Sequence, residues 1–295
     1  MLKKKFSNIP SIIKDAKRGK MFILVDDESR ENEGDLVIPG SKCNSKVINF
    51  MAKHGRGLIC LALTKKRIEK LKLPLMSQIN RSRMQTAFTI SIEAKKGIST
   101  GISAFDRAKT IKVAINPKSG KKDIVSPGHV FPLVSRNGGV LERAGHTEAS
   151  VDISKLSKLN PSSVICEVMN EDGRMARLDD LIKFSKRHKI KIASIADLIA
   201  HRLKNEKLVY KSNSKIIYFE KKNKFQLSIY KNKLNNFESF VLTKGKFKKK
   251  NSIPTRVLSK NINKNKLIKD KEIQDNIRLM SKYKNFILVI INNEL

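Results

Sequence analysis

Apolar runs and amphipathic repeats alternate over the first 203 residues of the chain. Unbroken apolar runs are typical of buried strands, apolar–polar alternation of half-buried strands, and a period of about 3.6 residues of helices. This alternation predicts a mixed α/β fold. In chain order, the pattern predicts a helix over 11–20, a strand over 21–25, a loop followed by an extended segment over 36–38, a helix over 46–54, strands over 58–63 and 87–93, a helix or strand over 111–115, a strand over 164–168, a helix over 178–189, a strand over 192–195 and a helix over 197–203.

The remaining residues, 204–295, predict a smaller and mainly β region. Their apolar positions form short segments with one amphipathic helical repeat over 270–283. The lysine cluster over 246–251 is expected to be a solvated loop. The predicted strands are 215–219, 225–230, 237–242 and 286–291.

Composition changes at the same place. Gly, His and acidic residues are frequent before Leu203, whereas Lys and Asn dominate after it. Residues 204–295 contain 23 basic and 7 acidic residues, and the whole chain has a formal charge of +35. A domain boundary is therefore expected at 203–212, which separates a domain of residues 1–203 from one of residues 204–295.

Composition also limits the class of protein. The apolar runs are far shorter than the roughly 20 residues of a membrane helix. The N-terminal segment lacks the continuous apolar stretch of a signal peptide. Three widely spaced cysteines, Cys43, Cys60 and Cys166, fit a reducing compartment better than a disulfide framework. We expect a cytoplasmic protein without a membrane partner.

The basic charge has two interpretations. Lys outnumbers Arg by 47 to 15, which fits the coding bias of an AT-rich genome as well as selection for a polyanionic partner. The sequence contains no RNP-type aromatic strand, zinc finger or clear helix-turn-helix pattern. Specific nucleic-acid binding is therefore not expected.

One acidic segment interrupts this basic background. Residues 26–35 read DDESRENEGD, with six carboxylates among ten residues. Carboxylate oxygens are the ligands that Mg²⁺ and Mn²⁺ prefer, and Arg30 among them could bind a phosphate or an anionic oxygen. The alternative is a solvated acidic turn.

A second candidate segment, residues 143–149, reads RAGHTEA. Gly145 would let the backbone approach a ligand closely. His146 could bind a metal, while the guanidinium of Arg143 and the hydroxyl of Thr147 could hold a phosphate. The alternative for His146 is a structural histidine.

Two further residues suit proton transfer. His129 lies between a Pro-Gly turn and a second proline, a pattern that predicts a stiff loop, and its imidazole could act as a general acid or base. Glu167 lies within the apolar strand over 164–168. If it is buried its pKa should rise, which suits proton transfer, and the alternative is a side chain that faces solvent.

Eight stretches, taken in this order, resemble the 3,4-dihydroxy-2-butanone 4-phosphate synthases of riboflavin biosynthesis. Together they cover roughly residues 6–203. They are DDESRENEGD, HGRGLICLAL, TAFTISIEA, STGISAFDRA, SPGHVFPL, GGVLERAGHTEASVD, VICEVMNEDGRMAR and IASIADLIAHR.

The resemblance implies a lyase that converts ribulose 5-phosphate to 3,4-dihydroxy-2-butanone 4-phosphate and formate with Mg²⁺ or Mn²⁺. It places the metal on Glu31 and His146 and the essential catalytic positions on His129 and Glu167. It also implies a homodimer with active sites near the subunit interface. The substrate contacts that it implies are Arg30, Glu31, Asp35, Arg143, Ala144, Gly145, His146 and Thr147.

Residues 237–257 resemble, more weakly, the start of GTP cyclohydrolase II. That activity needs a zinc site built from cysteines, and no cysteine follows Cys166. The second domain is therefore expected to be a degenerate, zinc-free region without that activity. The alternative to an enzyme is a non-catalytic protein that binds a polyanion or a partner through this basic region.

Overall fold

The chain forms two compact units, one up to Asn205 and one from Glu206 onward. The computed structural model describes residues 6–220, 223–234, 237–247 and 252–292. Both units combine helices with a β-sheet, so the predicted mixed α/β class is confirmed. No helix in these residues has both the length and the apolar character needed to cross a bilayer.

The first unit is built on a seven-stranded mixed sheet in the order β4-β5-β3-β6-β2-β1-β7. Its strands are β1 (Phe22–Val25), β2 (Gly34–Pro39), β3 (Arg56–Thr64), β4 (Ile92–Ala94), β5 (Ile124–Ser135), β6 (Ser162–Val168) and β7 (Lys191–Ser194). Its helices are α1 (Ile9–Lys17), α2 (Ser45–Phe50), α3 (Lys65–Leu71), α4 (Ala104–Ile115), α5 (His146–Leu156), α6 (Leu178–His188) and α7 (Ile195–Asn205).

Helices cover both faces of this sheet, because successive strand residues point to opposite sides. Leu36 packs with residues of α2, α3, α4 and α6 on one face. Val37, its neighbour on β2, packs with residues of α1, α5 and α7 on the other. We call the face covered by α1, α5 and α7 the α5 face.

Several predicted elements of the first unit are confirmed. The apolar runs over 21–25, 58–63 and 164–168 are β1, β3 and β6, and the ambiguous segment over 111–115 belongs to helix α4. The extended segment over 36–38 begins earlier than predicted, because Gly34 and Asp35 already pair with β1. These two residues therefore lie in strand β2.

Two predictions for the first unit are wrong. The segment over 87–93 forms only isolated bridges until Ile92, where regular pairing with β5 begins. His129 lies in the middle of strand β5, where a stiff loop was predicted. Pro127 is tolerated in this strand because β5 pairs irregularly with β4 between Val125 and Val130.

Helix α5 has no counterpart among the predicted elements. Every residue from His146 to Ser154 is buried. A helix that is covered on all sides has no polar face, and so it lacks the amphipathic period by which helices are recognised in a sequence.

The second unit is a five-stranded sheet in the order β11-β12-β10-β9-β8, with helix α8 on one face. Phe225, Phe240 and Phe286 from the sheet pack with Ile273 and Ile277 from the helix. Its elements are β8 (Val209–Phe219), β9 (Asn223–Asn232), β10 (Glu238–Lys244), β11 (Thr255–Ser259), α8 (Lys271–Met280) and β12 (Phe286–Ile291).

The four predicted strands of this unit and its helix are confirmed, while the polar strand β11 was not predicted. Of the expected loop over 246–251, residues 246 and 247 are irregular, as expected, and the rest lies outside the described residues.

Strand β3 packs unusually closely against β6 at Gly57. A Cβ added there would lie 2.4 Å from the carbonyl oxygen of Glu167, so the two strands would have to move apart. We expect Gly57→Ala to lower the free energy of unfolding by about 1–3 kcal/mol. Urea unfolding followed by circular dichroism measures this.

Gly120→Ala is the matched control, because a Cβ at Gly120 has no neighbour within 4 Å. Its stability should stay within about 0.5 kcal/mol of the parent chain. Equal unfolding midpoints for the two variants would contradict the close approach of β3 and β6.

Candidate active site

Three central strands place polar and thiol groups on the α5 face of the sheet. Asp35 on β2 is the direct cross-strand partner of Glu167 on β6. Ile165, two residues before Glu167, is paired with Cys60 on β3. Since paired residues and residues two apart point to the same side, these four side chains form one surface.

The acidic segment folds around one buried carboxylate. The Asp26 side chain is 1% exposed. Its oxygens accept hydrogen bonds from the backbone N–H groups of Glu31, at 3.1 Å, and Glu33, at 2.9 Å. The Arg30 guanidinium donates to Asp26 at 2.7 Å and to Glu31 at 2.5 Å. The segment is therefore an ordered loop with an internal cation, and not a solvated acidic turn.

Arg177 holds this loop from outside. Its guanidinium donates to the carbonyl oxygens of Glu31, at 2.8 Å, and Asn32, at 2.7 Å, and lies 3.6 Å from the Glu33 carboxylate. By contrast, the Asp27 carboxylate accepts hydrogen bonds from Ser29 on the exposed side of the loop.

Helix α5 begins opposite the acidic loop and brings His146 toward it. The Nδ1 atom of His146 lies 3.8 Å from Glu31 Oε2 and 3.9 Å from Asp35 Oδ1. His146 Nε2 and Asp35 Oδ1 are buried and have no hydrogen-bond partner among the described residues. Buried polar atoms are rarely left unpaired, so this pair of atoms points to a ligand.

The protonation states of these groups depend on one another. Burial raises the pKa of Asp35 to about 7. Burial opposes the charged form of His146, but Asp35, Glu31 and Asp26 outweigh it and raise its pKa to about 9. Beside this imidazole the pKa of Glu31 falls to about 2. Burial raises the pKa of Glu167.

These directions give the carboxylates different tasks. Glu31 stays ionised and can bind a cation at neutral pH. Asp35 can hold a proton near neutrality, and burial favours the protonated form of Glu167 opposite it on the neighbouring strand, which suits general acid–base catalysis.

Arg143 lies beside the start of α5 and is held from two sides. Its guanidinium donates to Glu148 at 2.7 Å, to the Met84 carbonyl at 2.9 Å and to Thr86 Oγ1 at 3.0 Å. Gly145, the N-cap of α5, has no side chain that could cap the helix. A Cβ there would lie 2.2 Å from the Arg143 guanidinium, so only glycine allows this approach.

These elements enclose one cavity of about 460 Å³. Most of the site residues predicted from the sequence line this cavity. Ala144, Gly145 and His129 do not line it. The candidate residues in its wall are Arg30, Glu31, Asp35, Arg143, His146, Thr147 and Glu167, joined by Cys60, Arg83 and Arg177.

His129 lies on β5 outside the cavity, closer to the start of the strand than the residue that lines it. Leu133, four residues later on the same strand, lines the cavity, and four strand residues span about 13 Å. The His129 side chain is 44% exposed, and its Nδ1 contacts the Glu93 carboxylate, which is 15% exposed. Glu93 lies on β4 and fits between two glycines, Gly101 and Gly128, at which a Cβ would collide with it.

The residues around His146 suit a divalent cation. Asp26, Glu31 and His146 each offer one ligand atom, and these atoms lie within 4.8 Å of one another. Two carboxylates and an imidazole are compatible with Mg²⁺ and Mn²⁺. Arg30 provides the positive charge between the two carboxylates in this structure.

The sequence did not identify three residues that organise the site: Glu93, Glu148 and Arg177. Glu148 lies within RAGHTEA but is 1% exposed, and it fixes Arg143 and the backbone N–H of Arg136. The sequence signal for Glu148 is its position in the first turn of α5, where a carboxylate is favoured by the helix dipole.

Comparison with known proteins identifies the family of the chain. Residues 10–201 match the family model described as 3,4-dihydroxy-2-butanone 4-phosphate synthase. The riboflavin biosynthesis protein RibBA of Aquifex aeolicus is 51% identical over 257 residues, which are 86% of this chain and 63% of that protein. The 3,4-dihydroxy-2-butanone 4-phosphate synthase of Neisseria meningitidis serogroup B is 49% identical over 239 residues, which are 81% of this chain and 66% of that protein.

Two solved structures are similar to the chain. RibBX of A. baumannii, a two-domain 3,4-dihydroxy-2-butanone 4-phosphate synthase, has a TM-score of 0.78 and 40% identity, with 98% of this chain and 82% of that chain covered. A 3,4-dihydroxy-2-butanone 4-phosphate synthase in complex with two magnesium ions has a TM-score of 0.65 and 38% identity, with 68% of this chain and 98% of that chain covered.

The chain thus spans about two thirds of the length of the curated relatives described above, 63% and 66%. The family model covers the acidic loop, the RAGHTEA segment and strand β6, and these three parts enclose the cavity. The chain belongs to the 3,4-dihydroxy-2-butanone 4-phosphate synthase family.

Proposed function

We propose that the chain converts D-ribulose 5-phosphate to 3,4-dihydroxy-2-butanone 4-phosphate and formate, a step of riboflavin biosynthesis, in the cytoplasm. The observation that supports this best is the meeting of Glu31, Asp35, His146 and Glu167 in one cavity. Such a cavity offers a cation site, proton carriers and positive charge for a phosphate. The family membership supports the same reaction.

The reaction needs no external oxidant or reductant. The sugar is enolised, loses water, undergoes a shift of its carbon skeleton and, after water is added again, releases one carbon as formate. The atoms of the two products together equal those of the substrate. Each step therefore requires protons to be moved and negative charge on oxygen to be stabilised.

Glu31 and His146 would hold Mg²⁺ or Mn²⁺, with Asp26 as a third donor beside them. Such a cation stabilises negative charge on adjacent hydroxyl and carbonyl oxygens of the substrate. The pKa of Glu31, lowered to about 2, keeps this ligand ionised throughout the neutral range. Arg30, which now neutralises Asp26 and Glu31, is placed to contact a sugar oxygen when the cation is bound.

Asp35 and Glu167 would hold and transfer the protons. Two carboxylates that face each other across a strand pair do not both ionise readily, and the pKa of each is raised, primarily by burial. One of them can therefore donate a proton to a sugar hydroxyl while the other accepts one.

The start of α5 would bind the substrate phosphate. The first N–H groups of a helix have no partner within the helix, and the helix dipole favours an anion there. Arg143 adds a guanidinium that Glu148 and Thr86 already hold in place. The Thr147 hydroxyl belongs to the same wall of the cavity.

His129 would act in the cavity of a second subunit. The His129 side chain is exposed, and it lies four residues before Leu133, the residue of β5 that lines the cavity of the same subunit. His129 is therefore too far along the strand to reach that cavity. A homodimer with active sites at the interface would place it against the partner's cavity. Glu93 would hold Nδ1 and leave Nε2 available for proton transfer.

For the second unit we propose no GTP cyclohydrolase II chemistry. Cys43, Cys60 and Cys166 are the cysteines of the chain, and all three precede Glu206. Without thiolates, the family-type zinc site of that activity cannot form there. This unit is then a degenerate, zinc-free relative of that enzyme.

Metal dependence tests the lyase assignment. Glu31→Gln and His146→Ala should lower formate release from ribulose 5-phosphate at least about 100-fold and abolish Mg²⁺ binding in calorimetry, because each removes a ligand. Removal of metal with EDTA should have the same effect, and Mg²⁺ should restore activity.

Asp27→Asn is the matched control for these variants. Asp27 belongs to the same acidic segment, but its carboxylate bonds only to Ser29 on the exposed side. It should keep both Mg²⁺ binding and activity. For the second unit, the expected absence of GTP cyclohydrolase II activity is tested separately, since GTP with added zinc should give no formate. Full activity in Glu31→Gln and His146→Ala would refute the assignment of the metal ligands.

A mixture of two inactive variants tests the position of His129. His129→Ser and Glu167→Gln should each lower kcat by about 10²-fold or more. Unfolded together and refolded, they should regain about a quarter of the parent activity, because half of the dimers are mixed and each mixed dimer has one intact site. If His129 acts within its own subunit, the mixture stays inactive.

The phosphate site can be tested with a shortened substrate. Arg143→Lys should raise KM for ribulose 5-phosphate about tenfold, since the forked guanidinium is lost. Ribulose without its phosphate should be a poor substrate of the parent chain, and Arg143→Lys should turn it over at the same rate as the parent chain does. An equal loss on both substrates would assign Arg143 to the sugar and not to the phosphate.

A further inference from the structure

The second unit contains a cavity whose charged side chains, among the residues that the structure describes, are all basic. It measures about 890 Å³ and is lined by Lys224, Lys244, Lys246 and Lys284, together with Asn223 and Asn285. All of these residues belong to the second unit, so the cavity takes no part in the proposed lyase site. We call it the lysine cavity.

The sheet itself brings these lysines together. Strand β10 runs antiparallel to both of its neighbours, β9 and β12. The last residue of β10, Lys244, therefore lies beside the first residues of β9 and β12, where Asn223 begins one strand and Asn285 precedes the other. Lys284 comes from the start of β12 and Lys224 from the start of β9. Lys224 points to the face opposite Lys244, because its neighbour Phe225 faces α8 and lies beneath the Lys244 ammonium, so the lysines line the end of the sheet from both faces.

One of the four ammonium groups is already oriented. Lys244 Nζ donates to the Asn223 side-chain oxygen at 3.2 Å. It also lies 5.8 Å from the centre of the Phe225 ring, a favourable position for a cation. Part of the entropy cost of fixing this long side chain is thus met before any ligand binds.

No carboxylate of the described residues lines this cavity. The described ion pairs of the unit use other cations, namely Lys231, Lys260 and Arg278. The first unit has a cavity with a similar number of lysines, Lys95, Lys96, Lys109 and Lys122, but Asp123 is part of its wall. Four lysines without a counter-charge repel one another, and an anion relieves this repulsion.

We propose that the lysine cavity binds a small anion that carries several phosphate charges, such as a polyphosphate or a compact phosphate ester. Lysine is a point-charge donor that suits phosphate oxygens. The charges gather at one end of the sheet and do not form a long groove. Phe225 is the one aromatic side chain among the described residues of the wall, and it is 1% exposed, so these residues offer nucleic-acid bases no ring to stack on.

Isothermal calorimetry on the full chain with inorganic tripolyphosphate tests this, at about 0.15 M salt and without divalent metal. Tripolyphosphate should bind at least ten times more tightly than orthophosphate. Lys244→Gln/Lys284→Gln should weaken its binding at least tenfold. Lys246→Gln, an exposed single change, should weaken it less but measurably, and thermal unfolding verifies that each variant is folded.

The matched control is Lys109→Gln/Lys122→Gln in the first unit, which removes the same charge from the other lysine-lined cavity. This control should leave tripolyphosphate binding unchanged. Arg143→Lys is a second control, because a change in tripolyphosphate affinity in this variant would measure the contribution of the lyase site. Formate release should be normal in the lysine-cavity variants, so the lyase assignment can fail or succeed independently of this test.

Three results would overturn the proposal. Unchanged affinity in Lys244→Gln/Lys284→Gln would show that the cavity does not bind the anion. An equal loss of tripolyphosphate affinity in Lys109→Gln/Lys122→Gln would show that the anion is bound by the overall positive charge of the chain and not by the lysine cavity. A short single-stranded oligonucleotide that bound more tightly than tripolyphosphate, and lost affinity in the same variants, would assign the cavity to nucleic acid.

Discussion

The pairing of Asp35 with Glu167 is the interaction on which the site depends. Strands β2 and β6 hold the two carboxylates opposite each other on a buried face. Left alone, such a pair would favour protonation of one member or separation of the strands. The positive charge of His146 from α5 compensates for part of this repulsion, and Arg30 neutralises the neighbouring carboxylates of the acidic loop, Asp26 and Glu31. The N-terminus of a fully buried helix and an acidic loop are therefore brought to the same place.

The strands and the local motifs of this arrangement could be read from the sequence. Apolar runs revealed β1, β3 and β6, and the short motifs around Glu31 and His146 revealed the residues that meet in the cavity. Such signals are local, since each motif supplies its groups within a few residues. The register that sets Asp35 opposite Glu167 is not local, and only the folded sheet contains it.

The residues that hold the site together could not be read in the same way. Arg177 reaches the Glu31 carbonyl across 146 residues of sequence, and Glu93 meets His129 across 36. Nothing in the neighbourhood of either residue marks it as a partner. Helix α5 was missed for a different reason, because the burial of every residue from His146 to Ser154 removes the amphipathic pattern. Residues that support a site are thus harder to recognise than residues that line it.

Arg30 gives the acidic loop a counter-ion of its own. Its guanidinium binds Asp26 and Glu31 at the place that a divalent cation would take. The loop can therefore keep its shape before any ligand arrives, because its carboxylates are never left to repel one another. In the proposed function, metal binding at this place would be an exchange of one cation for another. Its measured affinity would then report the difference between two occupied states, and the arginine that the metal displaces would become available to the substrate in the same event.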